Sequence, residues 1–166
     1  MNIIEAIKQN NIKLVKELIK VNANVNLQDE DGSSALIWAS YNGNIKIVKK
    51  LIKVGANINL QDNNEYTALI CASRSGHIKI VKKLIKANCN IDQKFIETIG
   101  KYNINILKLL INKDFNIALE YVKKFNKQKD LKYYTKLLVT NHINNLNIFQ
   151  YEKGLINIIL NYYILI

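Results

Sequence analysis

At 166 residues and 19.1 kDa, the chain is long enough for one domain or a short solenoid, and folding can bury about two-thirds of the surface that the unfolded form exposes. Hydrophobic residues make up 49% and proline is absent, which excludes extended disorder and polyproline linkers. Basic residues outnumber acidic ones by 24 to 13, yet only Arg74 is an arginine, the side chain suited to bidentate phosphate and base recognition, so nucleic acid is not the expected partner. Much of the lysine is explained by composition alone, since Asn, Ile, Lys and Tyr share AT-rich codons.

The opening Met1-Asn2-Ile3-Ile4-Glu5-Ala6 has neither the basic nor the long apolar stretch of a signal peptide. Cys71 and Cys89 cannot build a disulfide framework. The expected setting is therefore reducing and cytoplasmic. A first helix is predicted around Ala6, with Glu5, Lys8 and Gln9 as a polar outer cap. A second follows at IKLVKELIK, 12–20.

That second helix is the first copy of a recurring string. IKIVKKLIK stands at 45–53 and again, unchanged, at 78–86, and the copy at 12–20 matches it at seven of nine positions. Shifted by 33 residues, 29–61 and 62–94 are identical at 18 of 33 positions. The repeat divides the first part of the chain into 1–28, 29–61 and 62–94. Each full unit reads as two short helices. Leu36 and Ala39 mark the first; Ile45, Val48, Leu51 and Ile52 mark the apolar face of the second, with Lys46, Lys49, Lys50 and Lys53 opposite. Gly43 and Gly76 sit between the helices. Gly55, replaced by Asn22 and Asn88 in the neighbouring units, follows the second, and both residue types tolerate the left-handed conformation that ends a helix. The Asn-, Asp- and Gly-rich segment before each first helix has the chemistry of a turn or finger.

A 33-residue unit of one turn and two helices, with Ser34-Ala35-Leu36-Ile37-Trp38-Ala39 and Thr67-Ala68-Leu69-Ile70-Cys71-Ala72 followed by Gly43-Asn44 and Gly76-His77, resembles the ankyrin repeat. Ala35 and Ala68 stand where that family's T-P-L-H-x-A pattern has Pro, and Ile37 and Ile70 where it has His. Glu65 stands where the preceding unit has the turn glycine, Gly32. The resemblance implies an all-α solenoid of stacked helix-turn-helix units with short β-turn fingers, acting as a non-enzymatic module that binds a protein partner.

Beyond Lys94 the period breaks. Glu97-Thr98, Ile104, Leu107, Leu110 and Asn116 echo Glu5-Ala6, Ile12, Val15, Leu18 and Asn24, but Thr98 lies 26 residues after Ala72 instead of 33. The seven missing residues fall in the finger, so 95–117 reads as a fourth, finger-less helix pair. Helical patterns over 118–125, 131–139 and 155–165 continue the same solenoid as a degenerate cap over 95–166. The segment 155–166 is apolar almost all round, too short to span a bilayer. It folds back on the last repeats, associates with a second copy or partner, or lies on a membrane.

Catalytic chemistry finds no constellation. His77 and His142 lack a catalytic partner, Cys71, Cys89 and His77 do not have zinc spacing, and the six glycines form no phosphate loop. Asp29-Glu30-Asp31 lacks the alternating ligands of a calcium loop. No catalytic residue, metal or cofactor is expected. Eleven lysines recur along the second helices, from Lys13, Lys16 and Lys20 to Lys79, Lys82, Lys83 and Lys86; they read as a solvated face. The alternative is electrostatic contact with nucleic acid or anionic membrane.

Of the 15 positions at which the second and third units differ, nine fall in the finger and first helix and none in 45–53. The contact surface that the resemblance implies maps onto Glu30, Asp31, Ser33, Tyr41 and Asn42, then Asn63, Asn64, Tyr66, Arg74 and Ser75. Tyr41, Tyr66 and Arg74 are the expected anchors, because such side chains combine area with a polar handle. Trp38 is either inter-repeat core or a partly exposed anchor of the same surface.

Overall fold

A computed structural model describes residues 1–98 together with Ile106, Leu109 and Leu110. The chain divides into one compact unit, Met1–Gly100, and a second, Lys101–Ile166. The expectations for 99–105, 107–108 and 111–166, including most of the second helix of the finger-less pair and the apolar segment 155–166, lie outside the described residues. In the second unit Ile106 and Leu110 are helical and buried.

Three helical hairpins and a further helix build the first unit. They are α1 (Ile3–Lys8) with α2 (Ile12–Lys20), α3 (Ala35–Tyr41) with α4 (Ile45–Lys53), α5 (Ala68–Arg74) with α6 (Ile78–Lys86), and α7 (Gln93–Thr98). Four of the hairpin helices are capped at their start by a side chain, whereas α4 and α6 begin at Asn44 and His77 without a side-chain cap bond. Asn2 and Glu5 form a reciprocal capping box on α1, Asn11 caps α2, and Ser34 and Thr67 accept from the amides of Ile37 and Ile70 to open α3 and α5. Each hairpin turn runs through a left-handed residue, Asn10, Gly43 or Gly76, and each second helix ends at another, Asn22, Gly55 or Asn88. The sequence marks these positions with the two residue types that adopt positive φ most readily.

The first helices pack side by side, α1 on α3, α3 on α5 and α5 on α7, forming an inner layer, while α4 and α6 pair in an outer layer. Ala6, Ala39 and Ala72, repeat mates at the inner-layer contact, are fully buried. Their small side chains let the helix axes approach, and Leu36, Leu69 and Ile70 fill the space between layers. The outer helices bury more than the stripe expected from one-sided amphipathicity. Ile47 and Ile80 join Val48, Leu51, Val81 and Leu84 in the core, whereas Ile45 and Ile52 are half-buried. The cause is geometric: α4 packs against both α3 and α6, so two partners cover a wider arc than the single stripe of a surface helix.

Side chains stitch one repeat to the next. Asn26 Oδ1 accepts from the backbone N–H of Asn57 at 2.7 Å, and Asn59 Oδ1 accepts from that of Asn90 at 2.8 Å. Asn63 donates its backbone N–H to Asp31 O at 2.9 Å and its Nδ2 to Glu30 O at 3.0 Å, while Gln28 Nε2 donates to Gln61 O at 2.9 Å. Within each finger an isolated antiparallel bridge, Gln28 with Ser34 and Gln61 with Thr67, closes the turn. The finger row then ends. Between α6 and α7 the chain has only 87–92, against 21–34 and 54–67 at the earlier joints, and Asp92 Oδ1 accepts from the Phe95 N–H at 2.8 Å at the start of α7. The joint is shorter by eight residues, against the seven missing from the period, and α7 begins at Gln93, two residues before the 95 expected from the sequence.

Candidate partner-binding groove

Each finger is organised around one aspartate. Asp29 Oδ1 accepts from the Ser33 N–H at 2.8 Å. Its repeat mate Asp62 uses Oδ1 in the same way, accepting from the amides of Tyr66 and Asn64, each at 2.9 Å. These bonds are the Asx-type chemistry that favours aspartate in tight turns. They aim residue 33 or 66 back over the inner helix.

In the first finger the other carboxylate oxygen is also saturated. Asp29 Oδ2 accepts from Trp38 Nε1 at 2.8 Å and pairs with Lys8 Nζ at 2.8 Å, and the ammonium lies 4.5 Å from the centre of the Trp38 ring. Tyr41 meets the same indole edge-on, with centroids 6.1 Å apart. Trp38 is thus half-buried, tied to its own finger through a polar handle while its ring stays in the groove wall. Partial burial would raise the Asp29 pKa, but the bonds from Lys8, Trp38 and Ser33 outweigh it and hold the carboxyl below its ordinary value. A carboxyl depressed on folding adds stability above its unfolded pKa and loses it as pH falls through the folded one. The stability gap between the native chain and Asp29→Asn, measured by urea unfolding, should therefore narrow progressively below about pH 4. A gap constant with pH would show that the charge of Asp29 does not stabilise the fold.

The second finger carries a different cluster. Arg74 Nη1 donates to Tyr66 Oη at 2.6 Å, and its guanidinium carbon lies 4.9 Å from the Tyr66 ring centre. Lys94 Nζ lies 5.9 Å from the same ring and pairs with Glu65 at 3.0 Å. Arg74 therefore clamps Tyr66 by stacking and hydrogen bonding together. Lys8, Tyr41 and Arg74 are repeat mates, each the last residue of its inner helix.

Between these clusters lies a groove of about 380 Å³ lined by Ser33, Ile37, Trp38, Tyr41, Asp62, Tyr66 and Cys71. It brings together four of the residues expected from sequence: Ser33, Trp38, Tyr41 and Tyr66. Arg74 does not line the groove but holds Tyr66, which does. Tyr41 is 57% exposed, whereas Ser33 is buried with its backbone in the finger. Glu30, Asp31 and Asn64 are exposed on the fingers, Asn63 serves the stitch between them, and Asn42 and Ser75 are the C-caps of α3 and α5. None of these six lines the groove. Asp62, Ile37 and Cys71, with Asp29 and Lys8 in the supporting cluster, are absent from the contact surface expected from the sequence.

Cys71 forms part of the groove floor, 8% exposed. Burial, reinforced by the nearby negative charge of Asp62, pushes its thiol up to about 11. Since the thiolate is the nucleophile, such a thiol is nearly inert at neutral pH. Cys89 is buried as well. Neither should react with a disulfide reagent such as DTNB at pH 8 in the folded protein, and both should titrate rapidly in denaturant; fast native reaction of Cys71 would show that the groove floor is open.

Charge is segregated between these elements. The connections 21–34 and 54–67 hold Asp29, Glu30, Asp31, Asp62 and Glu65 with no basic residue, while α2, α4 and α6 hold eleven lysines and one acid, Glu17. Nine of those lysines are exposed; Lys50 and Lys83 are half-buried. Among the described residues no group of three His, Cys, Asp or Glu is placed to hold a metal ion, and no helix is long and apolar enough to cross a membrane.

Stacked helical hairpins that bury their faces against neighbouring copies, linked by fingers, define a helical repeat protein of the solenoid class. A family model of ankyrin repeats matches residues 3–95 in three copies. The chain belongs to the ankyrin-repeat family, whose repeats are in general protein–protein interaction modules. Comparison with curated proteins returns no match.

Proposed function

We propose that this chain is a non-enzymatic interaction module that binds a protein partner through its fingers and the exposed ends of its inner helices. The observation that carries the reading is the groove itself. Trp38, Tyr41 and Tyr66 form its aromatic walls, and each is held by a neighbour within the fold: Asp29 and Lys8 hold Trp38, Trp38 meets Tyr41, and Arg74 holds Tyr66. Aromatic anchors ordered before binding cost little entropy on association, which is how a modest area gives useful affinity. Substitution concentrated on this face, with 45–53 repeated unchanged, fits a conserved scaffold with a variable display surface.

The test is capture of partners from cell lysate at physiological and at high salt, comparing the native chain with a folded Tyr41→Ala, Tyr66→Ala, Arg74→Ala variant. A protein retained at both salts by the native chain and lost by the variant is the expected result. Recovery of only nucleic acid or acidic lipid, released by salt and indifferent to the three substitutions, would transfer function to the exposed lysines of the outer helices.

A further inference from the structure

We infer that the groove takes a lysine side chain of the partner, its ammonium paired with Asp62 Oδ2 and its stem lying along Trp38, Tyr41 and Tyr66. The inference rests on the reading of the groove as the partner surface and specifies what that surface recognises.

The argument compares the two fingers. Asp29 and Asp62 are repeat mates and spend Oδ1 alike, on backbone amides of their own turn. Asp29 Oδ2 then receives the Lys8 ammonium and the Trp38 indole N–H. One repeat later Tyr41 occupies the place of Lys8, and Cys71 that of Trp38. Among the described residues nothing donates to Asp62 Oδ2, and Asp62, only half-buried, lines the groove. The first repeat therefore displays, within the fold, the group that completes such a site: an ammonium on a carboxylate oxygen, 4.5 Å from an aromatic ring centre. The second repeat offers the carboxylate beside Trp38, Tyr41 and Tyr66; its own cations, Arg74 and Lys94, lie on the Tyr66 ring at 4.9 and 5.9 Å, and neither is paired with Asp62 Oδ2.

Size and charge agree. A volume of about 380 Å³ lies near the small end of ligand-sized pockets, enough for a long side chain. Aromatic faces attract cations, and an alkyl stem buries well between them. Although the chain carries a net charge of +11, the two fingers hold five acids and no base. Of the bases that reach this side Lys8 is paired with Asp29, Lys94 with Glu65 and Arg74 is bonded to Tyr66, so none of them neutralises Asp62 by direct pairing. The choice of lysine over arginine follows from valence. A guanidinium is matched by two oxygens of one carboxylate, and Asp62 has only Oδ2 to give, because Oδ1 already accepts two amides.

The experiment is an NMR titration of the ¹⁵N-labelled full chain with Nα-acetyl-lysine methylamide, the norleucine analogue that lacks the charge, and the arginine analogue. Saturable shifts of the Trp38 indole N–H and the Asn64 and Tyr66 amides are expected with the lysine compound. Binding should be about tenfold weaker for norleucine, and about tenfold weaker for lysine in Asp62→Asn. Asn retains the Oδ1 acceptor and so the finger; should that variant fail to fold, the lysine-to-norleucine ratio on the native chain decides alone. Equal binding of lysine and norleucine, tighter binding of arginine, or an unchanged response in Asp62→Asn overturns the inference. In the lysate experiment, undiminished capture by Asp62→Asn with loss in the triple variant removes the lysine and leaves the groove reading intact. Capture by the triple variant removes the groove reading itself.

Discussion

Truncating Leu69 to Ala should lower the unfolding free energy by about 3 kcal/mol, within the range for emptying a fully packed core position. Leu69 is completely buried on α5, which packs against α3, α6 and α7. Its loss therefore weakens the hairpin and both inner-layer contacts at once. In a repeat stack, stability is approximately a sum of unit terms and nearest-neighbour interfaces, so damage to a unit with neighbours on both sides removes two interfaces. Against a typical total of about 5–15 kcal/mol, that is a large fraction. Urea unfolding followed by circular dichroism measures it; a loss under about 1 kcal/mol would mean that the layers close over the truncated site.

A second large effect is expected at one repeat position, with opposite signs in its two copies. Gly32 and Glu65 are repeat mates and both have left-handed backbone, at φ +74° and +64°. A Cβ added at Gly32 would sit 2.6 Å from Asn63 Oδ1, 2.9 Å from Asn63 N and 3.2 Å from Asp62 Cα. Two of those atoms are backbone of the next finger and cannot rotate aside. Gly32→Ala should cost about 2–3 kcal/mol, conformational strain and steric displacement together, and should break the bonds of Asn63 to Asp31 and Glu30. Glu65 keeps its Cβ because α7 follows α6 without a finger, leaving no third turn to press against this one. It still bears the left-handed strain, and its compensation, the pair with Lys94, is 67% exposed at the carboxylate and so weak. Glu65→Gly should therefore stabilise by about 1 kcal/mol. Thermal unfolding of the two single variants checks both; a destabilising Glu65→Gly would mean that the Glu65–Lys94 pair outweighs the strain.

The fold was legible because its signals are local and repeated. Period, caps and left-handed turn residues each recur at the same offsets, and each reports a backbone need independent of its neighbours. The missed core positions, Ile47 and Ile80, were hidden because a single-stripe helix has one partner, whereas α4 has two. The groove was only half legible. Comparing repeats selects positions that differ, which found Trp38, Tyr41, Tyr66 and Arg74, but Asp29 and Asp62 are identical and so passed unnoticed. What distinguishes them lies in their surroundings, Lys8 and Trp38 in one case, Tyr41 and Cys71 in the other. A readable signal did exist: an unchanged acid flanked by two changed repeat mates. Its meaning required knowing that residues 8, 29 and 38 meet in space.

The asparagine and finger stitches also bear on how such a chain can lengthen. Asn26 reaches Asn57 and Asn59 reaches Asn90 across the same interval of 31 residues, and Gln28 reaches Gln61 across 33. A tandem duplication of one whole 33-residue unit recreates every one of these bonds at the new joint, whereas an insertion one residue longer or shorter misplaces all of them together. Copying errors in the coding sequence are thereby sorted by arithmetic: those that conserve the interval yield a longer working ladder, and the rest yield a chain that cannot close its own seams.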